Sequence, residues 1–152
     1  MKRIDELLGD YATHHRTAGN VACHFVGIPL IVYGIVALLT GVRLLAVPGL
    51  GVLTAAEFLI VVAFVYYLSL DIALAVAMLV FSCGLDALAR WVDSWPIALA
   101  AFAVGWVFQG IGHAVYEKRS PAFLKNLVHL MVGPLFVLNE ALHLRSVAPV
   151  ES

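Results

Sequence analysis

Charge is the scarcest commodity in this 152-residue chain: Asp, Glu, Lys and Arg together make 12% of it. Soluble domains carry about a quarter, so a water-exposed globule of ordinary surface is excluded. The net charge is −1 and no basic cluster occurs, which excludes nucleic acid as a partner. Cysteine is nearly absent. Cys23 and Cys83 stand far apart, form no CxxC pair, and read as two reduced, buried thiols rather than a disulfide framework. A secretory leader is not expected either, because Met1–Asp10 is charged and no short apolar core with a small-residue cleavage site follows it.

Apolar residues are what fill the chain. They make 62% of it, and the mean hydropathy is +0.97. These values describe an all-α integral membrane protein, and the length allows one membrane-embedded domain over residues 1–152. Lys2–Ala18 sets Ile4, Leu7, Leu8, Tyr11, His15 and Ala18 at helical steps, with Asp5, Glu6 and Asp10 on the other face. That pattern predicts an amphipathic helix lying at the membrane interface and broken at Gly19-Asn20. Val21–Thr40, kinked at Pro29, is long enough to cross a hydrocarbon core of about 30 Å at roughly 1.5 Å per residue. Gly41–Gly51 reads as a turn region.

The apolar stretch that follows is too long for one span and divides at Ser69-Leu70-Asp71, where Ser69 or Asp71 suits a helix N-cap. This gives a second helix near Gly51–Leu68 and a third near Asp71–Ala89, either both crossing or forming a re-entrant pair. Glu57 reads as an interfacial carboxylate, and Trp91 and Trp95 suit the headgroup belt. A fourth helix runs from about Pro96 to about Tyr116, and a fifth over about Lys125–Leu144 with a kink at Gly133-Pro134. About five membrane helices result. Lys2, Arg3, Arg16, Lys118, Arg119 and Lys125 then fall on one side and Arg43, Arg90 and Arg145 on the other, which makes the N-terminal side cytoplasmic.

That topology sorts the six histidines by depth. His14, His15, His24, His113 and His129 share a layer near the cytoplasmic interface. His143, 14 residues beyond His129, belongs to the other end. Ionisable side chains in membrane-grade sequence mark functional sites by default. Neutral imidazoles with carboxylates suit iron, zinc, copper or nickel, whereas calcium and magnesium take all-oxygen cages. The metal ligands expected are therefore His15, His24, His113 and His129. His14 competes with His15 for one place. Glu117 follows His113 by four residues and stands as a ligand or an acid–base group, and Asn20 precedes His24 by four and can orient its ring. Arg16, Lys118 and Arg119 are available to hold a substrate carboxylate. A single histidine near an interface is more often merely hydrogen-bonded; the case rests on several converging.

Three blocks of these residues resemble the 2-hydroxy fatty acid dioxygenase family: His15-x4-Asn20-x3-His24-x2-Gly27-x-Pro29, then Gln109-x2-Gly112-His113-x3-Glu117-x3-Pro121, then Gly133-Pro134-Leu135-Phe136. Two positions depart from it. Thr17-Ala18 stands where relatives often have Asn-Pro, and Lys118 where a Gly is common. The resemblance implies Fe(II) as cofactor and α-oxidation as reaction: a 2-hydroxy fatty acid and O₂ give CO₂, water and an acid one carbon shorter. It also implies membrane lipid as the surroundings of the acyl tail, in the plasma membrane of a bacterium or the endoplasmic reticulum of a eukaryote. Two other classes compete. A haem-binding electron carrier would use paired histidines, and a non-enzymatic membrane adaptor would use them only to satisfy helix ends.

Overall fold

A computed structural model describes residues 3–49, 51–118 and 128–146 of the chain. They are mostly helical: α1 Arg3–Thr13, α2 Ala18–Thr40, α3 Ala55–Leu68, α4 Ile72–Val92, α5 Trp95–Ile111 and α6 Val128–Leu142. A six-residue π-helical segment, Gly112–Glu117, continues α5. Three helices are long and apolar enough to cross a membrane: Ala18–Thr40, Ile72–Val92 and the joined Trp95–Glu117. Large apolar side chains stand exposed along them, among them Phe25, Val80 and Val107, as expected of surfaces that meet lipid rather than water. The protein is a helical membrane protein.

The other two apolar helices are shorter, with 14 and 15 residues among those described. For α3 the reason is local. The stretch expected to be a turn and the start of a helix is instead an antiparallel hairpin, β1 Arg43–Val47 and β2 Gly51–Thr54, with Leu45 opposite Leu53. Val and Thr favour extended backbone, and Gly49 and Gly51 supply the positive φ that the reversal needs.

Two compact units divide the chain. One holds residues 30–104. In it α3 packs on α4. Thr54 caps α3 and Glu57 completes a capping box by accepting from the Thr54 amide at 2.8 Å, while Arg90 pairs with Glu57 and, at 2.8 Å, with Asp86. Glu57 is thus committed to structure. Asp71 caps α4, its Oδ1 accepting from the Leu74 amide at 3.0 Å. Trp91 and Trp95 are exposed beside the α4–α5 turn, which suits headgroup contact.

The other unit combines residues 1–29 and 105–152 and carries all six histidines. Its first helix ends at Thr13, earlier than Gly19-Asn20, and α2 starts at Ala18. The break falls at His14–Thr17 because Thr17 is an N-cap: its hydroxyl accepts from the Asn20 amide at 3.3 Å and its carbonyl from the Val21 amide at 3.0 Å. The apolar stripe of α1 is buried against α6, with Ile4, Leu8 and Tyr11 almost fully covered. Asp5 pairs with Arg145 at 2.7 Å, joining a carboxylate and a cation that the charge count assigns to opposite sides of the membrane. The chain turns back after α6, with His143 at φ 52° and the Asn139 amide donating to the Arg145 carbonyl at 3.1 Å, and so returns Arg145 to α1.

Candidate metal centre

Helix α2 and the α5–π helix meet through pairs of residues stepped along both. Thr17 bonds Glu117; a side chain on Gly112 would strike Asn20 and Cys23; His24 touches His113; a side chain on Gly27 would strike Gln109. Partners descend one helix as they climb the other, so the two run antiparallel. Small residues at Gly27 and Gly112 let the backbones close up.

At the middle of this seam three buried imidazoles converge. The ring centroids of His15 and His24 are 4.4 Å apart, those of His15 and His113 5.0 Å, and those of His24 and His113 5.0 Å. The planes are close to perpendicular in every pair, at 75°, 68° and 87°. One nitrogen of each lies within 4.8 Å of the others. Imidazole nitrogens bind a first-row divalent ion at about 2.0–2.1 Å, so ring rotations of roughly an ångström bring all three onto one ion.

The hydrogen bonds prepare two of the rings for that role. His15 Nδ1 sits 2.7 Å from the Tyr11 carbonyl and His24 Nδ1 2.9 Å from the Asn20 carbonyl. A carbonyl only accepts, so both Nδ1 atoms carry the proton and both Nε2 atoms present a lone pair. His15 Nε2 is buried with no protein partner. Burial, reinforced by the neighbouring His24 ring, pushes the His15 pKa down to about 3, so the ring is neutral at physiological pH. The Tyr11 ring lies flat on His15 at 4.0 Å and 10° and fixes its plane. A buried, unpartnered lone pair, two set tautomers and three converging rings are features that a metal ion would satisfy.

The structure places the other expected residues as follows. His129 is buried but outside the group: its Nε2 is 2.8 Å from the Asp10 carboxylate, and its ring faces Tyr11 and His14. His14 turns its Nδ1 to the Asp10 carbonyl at 3.0 Å, leaving His15 as the member of the pair that enters the group. Asn20 is fully buried beside Gly112 and orients His24 through its backbone carbonyl, because a ring four residues on reaches back to the preceding turn. Oε1 of Glu117 accepts from the Arg16 amide at 2.7 Å, the Thr17 amide at 2.8 Å and the Thr17 hydroxyl at 3.1 Å. A carboxylate on the N-cap amide and the one before it stands at the positive end of α2, a stable arrangement, and here it ties down the loop carrying His15. Arg16 is exposed, with its Nε on the Thr13 carbonyl at 3.1 Å. Lys118 is exposed at the end of the π segment, and Arg119 lies outside the described residues. His143 is exposed and apart from the group.

Nothing in the sequence pattern singles out Tyr11 or Asp10 as site residues beyond their places on the amphipathic helix, or foretells the π turn that carries His113. Such a turn inserts one extra residue, has no strong sequence signature, and recurs at functional sites. Lys118 closes it at φ 53° with its amide on the His113 carbonyl, a conformation that glycine adopts most easily. Thr17-Ala18 supplies an N-cap and first-turn residue, as Asn-Pro would. Thr17 and Lys118 thus occupy an N-cap and a positive-φ position, places that Asn and Gly also suit.

A family model described as "2-hydroxy-palmitic acid dioxygenase Mpo1-like" matches residues 1–144. The chain belongs to this family. It is similar to the 2-hydroxy-palmitic acid dioxygenase MPO1 of Saccharomyces cerevisiae, with 31% identity over 137 residues, which cover 89% of this chain and 77% of the yeast protein. No solved structure matches it. The matched span of this Mpo1-like chain includes the three converging histidines, Gln109 and Glu117.

Proposed function

We propose that this protein is a membrane-embedded, iron-dependent dioxygenase that converts a 2-hydroxy fatty acid and O₂ into the acid one carbon shorter, CO₂ and water. The observation that carries the reading is the meeting of three buried imidazoles, within 4.8 Å, in a chain similar to a 2-hydroxy-palmitic acid dioxygenase. The balance is closed: RCH(OH)COO⁻ + O₂ → RCOO⁻ + CO₂ + H₂O is a four-electron oxidation matched by one O₂, so no reducing cosubstrate enters.

His15, His24 and His113 would hold the ion. Ferrous iron, when bound, supplies the redox centre at which the 2-hydroxy acid and O₂ meet, three protein ligands leaving positions open for both. The Tyr11 and Asn20 carbonyls keep Nε2 of His15 and His24 available, and Tyr11 holds the His15 plane. Glu117 keeps the His15 loop against the π segment. Arg16 and Lys118 form the cationic rim toward which the substrate carboxylate is drawn. The acyl tail follows the apolar helices into lipid, which suits a substrate of low water solubility. The rim faces the cytoplasm in this reading, in the plasma membrane of a bacterial cell or the endoplasmic reticulum of a eukaryotic one.

The site speaks against haem, because bis-imidazole haem needs two rings on opposite faces of a flat macrocycle, and three rings in mutual contact leave no such gap. A purely structural role also fits poorly with a buried His15 Nε2 that nothing in the protein satisfies. The test is product chain length by mass spectrometry, with purified protein, ferrous iron and 2-hydroxyhexadecanoic acid. Appearance of pentadecanoic acid only in the presence of O₂ is expected. Iron-loaded protein that leaves 2-hydroxy acids of every length unchanged would overturn the assignment.

A further inference from the structure

Gln109 is a polar residue that the metal centre does not use. It lies four residues before His113 on α5 and is 6% exposed. Its Nε2 is buried with no hydrogen-bond partner, and it rests against Gly27, three residues past His24 on α2. The amide is therefore one helical turn from the imidazoles on both helices. An unsatisfied donor at membrane depth is costly because no bulk water is there to accept from it. A buried donor of this kind, next to a site that must take an oxygen-rich head group, points to an acceptor on the ligand.

The side of the centre on which it lies says which acceptor. From the histidines outward stand the polar and charged residues Thr17, Arg16, Glu117 and Lys118. From Gln109 inward along α5 the sequence Trp95–Phe108 carries no charged, amide or hydroxyl side chain. On α2 the first hydroxyl after His24 is Tyr33. An amphiphile seated here puts its carboxylate toward the basic end and its tail toward the apolar end. In a 2-hydroxy acid the oxygen next along the chain from the carboxylate is the C2 hydroxyl, and it falls on the tail side, where Gln109 waits.

Resting on the dioxygenase reading, we propose that Gln109 is a specificity-determining residue whose side-chain amide donates a hydrogen bond to the C2 hydroxyl oxygen of the substrate and so selects 2-hydroxy acids over unsubstituted fatty acids. A site built to pair with a substrate hydroxyl discriminates strongly against the analogue lacking it, since its own polar group is then left unpaired.

The experiment measures dissociation constants of 2-hydroxyhexadecanoic and hexadecanoic acid by calorimetry, on cobalt-loaded full-length protein in detergent under anaerobic conditions. Parent, Gln109→Met and Gln109→Leu are compared. Met keeps the volume and Leu most of it, and neither carries a polar group. The parent is expected to prefer the 2-hydroxy acid. Each variant should bind that acid about 5–100-fold more weakly, the loss of one buried hydrogen bond, with hexadecanoic acid affinity and one cobalt per chain retained. Undiminished 2-hydroxy acid binding in both variants would overturn the inference, as would equal weakening for both acids or loss of cobalt. A parent that binds no 2-hydroxy acid would instead overturn the dioxygenase reading itself.

Discussion

Thr17 and Glu117 stand 100 residues apart in sequence and meet at one oxygen atom: Glu117 Oε1 accepts from the Thr17 amide at 2.8 Å and from its hydroxyl at 3.1 Å. The Arg16 amide adds a third bond at 2.7 Å. This clamp joins the start of α2 to the end of the π segment, and His15 and His113 sit just inside it. Glu117 lies close to the three converging imidazoles yet has one oxygen fully occupied by backbone and hydroxyl donors.

The clamp makes a prediction that separates support from ligation. Glu117→Gln keeps a carbonyl oxygen able to accept the same amide bonds and should change cobalt affinity by no more than a few-fold. Glu117→Ala releases the loop and should weaken it about 10–100-fold, the range of outer-shell changes at metal sites. Competition against a chelator reads both. An equal, severe loss in the two variants would make Glu117 a ligand.

Lys118 should be improved by glycine. It holds φ 53° at the end of the π segment, where an L side chain is strained. Relief of that strain, less the extra chain entropy of glycine, should stabilise the protein by about 0.5–1 kcal/mol. Thermal unfolding of Lys118→Gly in detergent checks it, and a lowered midpoint would contradict the backbone assignment.

Gly112 and Gly110 should respond oppositely to alanine. A Cβ on Gly112 would meet the Asn20 side chain and lie 3.1 Å from Cys23 Cβ, whereas one on Gly110 meets nothing within 4 Å. Gly112→Ala should cost about 1–3 kcal/mol by overpacking. Gly110→Ala should be neutral or stabilising by up to about 1 kcal/mol, as alanine is the better helix former. Equal effects on the unfolding midpoint would mean that α2 and the π segment do not approach so closely.

Much of this was legible in the residues. Hydropathy alone requires membrane helices, and the apolar runs around Val21–Thr40, Asp71–Ala89 and Pro96–Tyr116 locate the three longest within a few residues. His24 and His113 are each about a turn from the same end of antiparallel helices, so their depth alone brings them together. Other features depend on information that hydropathy lacks. The Thr17 cap and the Arg43–Thr54 hairpin are set by single turn residues within otherwise apolar sequence. The turn back to the Asp5–Arg145 pair is a long-range contact between polar ends. His129 has the right depth, but rotation about the helix axis decides which neighbour a ring meets, and here it meets Asp10.

The most direct test of the account is iron per chain, measured on anaerobically purified parent protein and on His15→Ala, His24→Ala, His113→Ala, His129→Ala and His143→Ala, each shown to be folded by its unfolding transition. One iron is expected in the parent, in His129→Ala and in His143→Ala, and almost none in the other three. Parent protein without iron, or iron retained when His15, His24 or His113 is removed, would contradict the three-histidine centre.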